Sequence, residues 1–199
     1  TNFLGLVQAR GGQPRNTALL MGPWVHGVGS TARTKAGDLD FGSDAAIDYD
    51  EVVLDWMDRY VRGDRKTPAA EPVRYFVMGD NRWKTASNWP PAGHDKVYYL
   101  APGSSSRGAL ADARPTTGAS SSNFRSDPGD PVVNPYDSAG AHDYQSLAER
   151  GDVLTFDSPP LASDLEVAGP VRARMFISCD CRDTDLWVRL LDVAPDGRA

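Results

Sequence analysis

The chain has 199 residues, 40% hydrophobic and 24% charged, with a formal net charge of -6, a pI near 5.0 and a mean hydropathy of -0.44. No uninterrupted apolar run approaches the roughly 20 residues that cross a bilayer, and the 21 basic residues are scattered rather than gathered into a stripe. A soluble globular protein is expected, with no membrane and no nucleic acid as partner.

In chain order, residues 1–7 read as a helix already under way, and Thr17-Ala18-Leu19-Leu20-Met21 as a short buried strand. Gly22-Pro23 ends that strand, because proline removes a ladder donor. His26 follows in the loop Met21-Gly22-Pro23-Trp24-Val25-His26-Gly27. A loop histidine is free to exchange a proton near neutral pH. Taken by itself, it reads more readily as a packed or solvent-facing residue.

Residues 50–62 place Val52, Val53, Trp56, Met57 and Tyr60 at helical spacing. Asp48 is the expected N-cap and Gly63 the stop, which gives an amphipathic helix packed on a sheet. Asp55/Arg59 and Asp58/Arg62 sit at i,i+4 and are expected to pair on its surface. A charged, Pro-containing connector runs over 64–72. Beyond it the period falls to two, predicting strands at 73–78, 96–100, 171–179 and 186–193. The Gly/Ser/Pro/Asp-rich stretch 103–140 is too long for an ordinary connection and is expected to wrap the surface.

Trp83 and Trp89 read either as the lining of a substrate cleft or as pins holding one part of the chain on another, with pinning favoured because large aromatics mostly serve packing. Cys179 and Cys181 are two apart on a predicted strand, where extended backbone strains a disulfide. With no second Cys/His pair nearby they make a poor zinc set, so two small core residues are expected. His94 and His142 have no motif around them, and neither is given a role. Asp183 and Asp185 read as a turn.

The loop 22–27 is followed by residues 50–63 and then by Pro72-Val73-Arg74-Tyr75-Phe76-Val77-Met78-Gly79-Asp80-Asn81-Arg82-Trp83-Lys84. That order resembles the superfamily of serine hydrolases that contains cocaine esterase, α-amino acid ester hydrolases and X-Pro dipeptidyl-peptidases. There a G-P-W-x-H loop supplies the triad histidine ahead of a C-terminal jelly-roll domain. Residues 148–161, 166–171 and 183–199 resemble successive strands of that domain. The fold implied is mainly β: a C-terminal jelly-roll β-sandwich at 66–199, preceded at 1–65 by the last strand and helices of an α/β-hydrolase domain.

The resemblance makes His26 the catalytic base of a Ser-Asp-His triad that cleaves ester or amide bonds, without metal or cofactor. The G-x-S-x-G elbow of such enzymes is missing. Gly29-Ser30 and Gly103-Ser104-Ser105-Ser106 read as plain loops, and the family's triad acid would precede Thr1. The nucleophile, the acid and the oxyanion hole are therefore expected in the remainder of a hydrolase domain upstream, with the jelly roll also cut short after Ala199. Expected partners are a small ester, amide or short peptide substrate and that upstream part, with room for a homo-oligomer. Localisation stays open between cytoplasm and secretion. A different class of reading is a non-catalytic β-sandwich module for binding or oligomer contacts.

Overall fold

The computed structural model describes residues 2–14, 16–103, 106–116 and 120–199. Thr1, Ser104 and Ser105 lie outside the described residues. The chain forms two compact units, one of Thr1–His94, Tyr136–His142 and Glu166–Ala168, the other of Asp95–Pro135, Asp143–Leu165 and Gly169–Ala199.

The first unit contains, in order, α1 (Asn2–Ala9), β1 (Leu19–Met21), β2 (Lys35–Ala36), β3 (Leu39–Asp40), α2 (Tyr49–Met57), β4 (Val73–Val77) and β5 (Arg82–Ala86). β1 pairs in parallel with β4, Leu19 opposite Val73 and Met21 opposite Tyr75. β5 returns antiparallel on the other side, Phe76 opposite Trp83. The connecting turn puts Gly79 at φ 88° and Asn81 at φ 52°. Glycine reaches that left-handed region without a Cβ clash, and asparagine tolerates it through its short polar side chain.

Alternation along β4 sends its side chains to two separate clusters. Val73 and Tyr75 are buried with Phe3, and Val7, Leu19, Val77, Ala86 and Trp89 pack around them. Phe3 and Val7 are four apart on α1, so one helix face covers one sheet face. Phe76 points the other way, into Ala36, Phe41 and Ala45, with Val25 and Trp83 against it. Phe41 and Trp83 meet the Phe76 ring edge-on at 6.3 and 5.3 Å, the geometry that ring quadrupoles favour.

The helix expected at 50–62 forms with both of its end signals in use, but none of its residues is buried, so the expected packing of an apolar face on a sheet is not seen. The Asp48 carboxylate accepts the Glu51 N–H at 3.1 Å, and Asp50 and Glu51 place negative charge in the first turn, where the helix dipole favours it. Past Met57 the chain widens into a π-helical turn, Asp58–Arg62, and stops at Gly63, whose φ of 76° is left-handed. Arg62 pairs with Asp58 at 2.8 Å. Arg59 behaves differently from the expected pair with Asp55: its guanidinium donates to the carbonyls of Arg65 and Thr67 at 3.1 and 3.2 Å. Two connector carbonyls give it fixed acceptors, whereas an exposed carboxylate would return little.

The second unit holds β6 (Tyr99–Ala101), β7 (Arg107–Ala111) and β8 (Thr155–Asp157). β7 is the middle strand, antiparallel to β6 and parallel to β8. Gly108 lets these backbones approach, since a Cβ there would lie 2.6 Å from the Ala101 carbonyl oxygen and 2.8 Å from the Phe156 ring. Arg150 forms a fork on Asp152 at 2.8 and 2.9 Å and also reaches the carboxylate and carbonyl of Asp130. These bonds hold the Asp152 carboxyl below the usual carboxylate range.

Among the described residues the strands make sheets of three, two and three, a mixed α/β arrangement rather than a complete jelly roll. β7 falls within the expected long loop, and the strand expected at 96–100 is displaced to Tyr99–Ala101. Residues 171–179 and 186–193 form no ladder here, and Phe176 and Trp187 are 98% and 86% exposed. Period-two alternation reports which face a strand would bury, but a strand exists only where a partner takes its backbone bonds. Cys179 and Cys181 are accordingly exposed free thiols rather than core residues.

Phe76→Ala should lower stability by about 3–5 kcal/mol in urea unfolding, because it empties the centre of one cluster. For Arg150 the sign follows from the lowered Asp152 value. The stabilisation is complete above the ordinary carboxyl pKa of about 4 and is lost as pH falls through the depressed folded value. Arg150→Gln should therefore cost stability at pH 7 and flatten the acid-side loss below pH 4, as read from urea midpoints across that range.

Candidate functional site

The His26 loop is held by the two residues that precede the histidine. Trp24 donates its indole N–H to the Ala45 carbonyl at 2.7 Å, and its ring lies 5.7 Å from that of Trp83. Val25 packs against the Phe41/Phe76 cluster. Gly22 permits this, since a Cβ there would stand 2.5 Å from the Trp24 ring. With Trp24 and Val25 turned inward, His26 is left exposed, and Gly27 at φ 140° and Gly29 at φ 71° carry the chain away. Among the described residues none hydrogen-bonds to the His26 ring. Ser30, in one of the two serine-bearing stretches considered from sequence, starts the 3-10 turn Ser30–Ala32.

Trp83 and Trp89 serve packing within this unit. Trp83 donates to the Asp44 carbonyl at 2.7 Å, and the Arg74 guanidinium lies 4.5 Å above its ring, a cation–π contact. Trp89 meets Tyr75 edge-on at 5.7 Å. Beyond them, Glu166 accepts from Lys84 and from the Tyr75 hydroxyl. Burial first, then the Glu166 charge, pushes the Tyr75 phenol above its ordinary value, so it remains a neutral donor.

A second cluster, which sequence reasoning missed, surrounds His142. Its Nδ1 lies 3.0 Å from Asp38 Oδ2, and its Nε2 lies 3.2 Å from Ser138 Oγ and 3.1 Å from the Ser138 carbonyl oxygen. Tyr136 stacks on the ring at 4.1 Å, within 10° of parallel. The His142 side chain is only 4% exposed, while that of Asp38 is 62% exposed. Two glycines make the approach possible. Gly37 bridges to Ala141, the Asp38 N–H donates to the Ala141 carbonyl at 2.8 Å, and the Ala141 N–H to the Ala36 carbonyl at 3.2 Å. A Cβ at Gly37 would lie 2.3 Å from the Ala141 oxygen, and one at Gly140 would lie 2.2 Å from the Gly37 nitrogen. His94 is exposed and belongs to neither cluster. Among the described residues no group of three or more His, Cys, Asp or Glu is placed to hold a metal ion.

Comparison with known proteins gives three findings. The profile of the X-Pro dipeptidyl-peptidase C-terminal non-catalytic domain matches residues 67–199. Cocaine esterase of a Rhodococcus species is 32% identical over 197 residues, 91% of this chain but 34% of that enzyme. Among solved structures, an α-amino acid ester hydrolase superposes with a TM-score of 0.62 at 28% identity, over 83% of this chain and 29% of the other. The chain thus spans about a third of the length of the curated relatives it matches.

The two histidines should differ in reactivity. Diethyl pyrocarbonate should carbethoxylate His26 well ahead of His142, as followed by peptide mass spectrometry over time. Equal rates would contradict the burial of the His142 ring.

Proposed function

This chain belongs to the X-Pro dipeptidyl-peptidase C-terminal non-catalytic domain family, and on that premise we propose that it is the histidine-bearing C-terminal part of a serine ester hydrolase. The observation that carries the reading is the His26 loop. It lies upstream of the matched domain at 67–199, beyond the reach of the description non-catalytic, and it holds one exposed imidazole directly after two inward-anchored residues, Trp24 and Val25. The relatives named as ester hydrolases favour esters as the substrate class, with short peptides of the X-Pro type as the second reading, which the family's own name supports.

In the proposed reaction a serine from polypeptide outside this chain attacks the ester carbonyl, and His26 Nε2 takes its proton. The protonated ring returns that proton to the leaving alcohol. An aspartate, also from outside the chain, holds the ring tautomer, and water releases the acyl group in a second round. Residues 66–199 take no chemical part in this reaction. The exposed Leu4, Leu6, Met21, Leu54 and Val61 of the first unit fit apolar surface that a longer hydrolase domain would cover.

The test is turnover by the native protein. It should hydrolyse p-nitrophenyl acyl esters faster than alanyl-prolyl p-nitroanilide, and His26→Ala should cut that rate by about 10³-fold or more. Because His26 is exposed, the urea midpoint should stay unchanged. Ester turnover that survives His26→Ala would overturn the assignment.

A further inference from the structure

The Ser138–His142–Asp38 cluster connects a hydroxyl, an imidazole and a carboxylate in the order by which serine nucleophiles are activated, and it is separate from the His26 loop. We infer that Ser138 is a histidine-activated hydroxyl that accepts an acyl or phosphonyl group and retains it, a covalent acceptor site rather than a turnover site.

With Nδ1–H donating to the Asp38 carboxylate, the Nε2 lone pair faces Ser138 and accepts its Oγ–H at 3.2 Å. Oγ can then attack an electrophile while Nε2 takes the proton. The imidazolium so formed already has acceptors on both sides. Nδ1–H keeps Asp38, and Nε2–H finds the Ser138 carbonyl oxygen at 3.1 Å. Tyr136, stacked face to face at 4.1 Å, fixes the plane of the ring. The ring has little freedom to turn, being stacked on one face, bonded at both nitrogens and 96% removed from solvent on a 4% exposed side chain. Ser138, by contrast, is exposed and open to a reagent.

The step balances with an activated ester or a fluorophosphonate as co-reactant. The Oγ–C or Oγ–P bond forms, and the bond to aryloxide or fluoride breaks with its electron pair. The Oγ proton passes to Nε2 and leaves with the displaced group. Release of the acyl group would need a water beside Nε2, and a 4% exposed ring gives it poor access, so the adduct stays. Single acceptance is compatible with a domain described as non-catalytic.

The experiment treats the 199-residue chain with a tagged fluorophosphonate and maps adducts by peptide mass spectrometry. Ser120 and Ser163, both exposed, serve as internal references. Ser138 should label about 10²-fold faster than either, up to one equivalent. His142→Gln should bring Ser138 down to the rate of the references. Asp38→Asn should slow it and Asp38→Glu restore part of the loss, a rescue that loop collapse would not show, with near-ultraviolet circular dichroism as the check on folding. Labelling of Ser138 no faster than the references, or labelling indifferent to His142→Gln and Asp38→Asn in folded protein, would overturn the inference. His26→Ala should leave the Ser138 adduct unchanged, so failure here and failure of the His26 reading are told apart.

Discussion

The 3-10 turn Ser43–Ala45 closes two short bonds, Ala45 N–H to Gly42 and Ala46 N–H to Ser43, which leaves the Asp44 and Ala45 carbonyls without partners in the turn itself. Two indoles satisfy them, Trp83 on Asp44 and Trp24 on Ala45, each at 2.7 Å. Adjacent carbonyls on one turn thereby fix two segments nearly sixty residues apart in sequence. Each bond contributes about 1 kcal/mol net, and losing Trp24 would leave a carbonyl of the buried Ala45 unpaired at a cost of about 1–3 kcal/mol, whereas the carbonyl of the exposed Asp44 can turn to water. The position of His26 follows from this, since it is two residues beyond Trp24 and one beyond the half-buried Val25.

β4 carries the same logic to the sheet. A strand of five residues with buried positions on both faces leaves no side for solvent, so α1 must cover one face and the turn with its tryptophans the other. Phe76 and Trp83 are opposite each other across the β4–β5 ladder, which places the Trp83 indole within reach of the turn. The hairpin register and the indole bond are therefore coupled. A one-residue slip would turn Phe76 toward α1 and withdraw Trp83 from Asp44.

What was legible in the sequence is what depends on near neighbours. Asp48 and Gly63 mark the helix ends because capping is decided within four residues, and Leu19–Met21 and Val73–Val77 are marked by runs that need only a sheet to join. Arg59 was assigned to Asp55 because spacing along a regular helix ignores the π-helical turn and the connector carbonyls beyond it. Residues 171–179 and 186–193 show period two without a ladder because alternation says nothing about whether a partner is present. The family resemblance was legible from motif order, and the matched domain and relatives support it. His142 was passed over for a plain reason: its partner Asp38 is 104 residues away, and no local motif encodes a contact at that distance.

The two histidines show how one residue type is used in opposite ways within one unit. His26 is presented by the burial of its neighbours, with glycines after it and an open ring, so its chemistry must be completed by groups that come to it. The His142 side chain is itself covered, and its partners are brought in by a backbone contact that only glycine permits at Gly37 and Gly140. A single added methyl group at either position would push the 136–142 segment off the 36–38 turn and part the imidazole from its carboxylate without touching a polar group. The electrostatics of this second cluster therefore rest on a steric condition. Its signature in the sequence is a pair of glycines about a hundred residues apart, which acquires meaning only once the chain has folded.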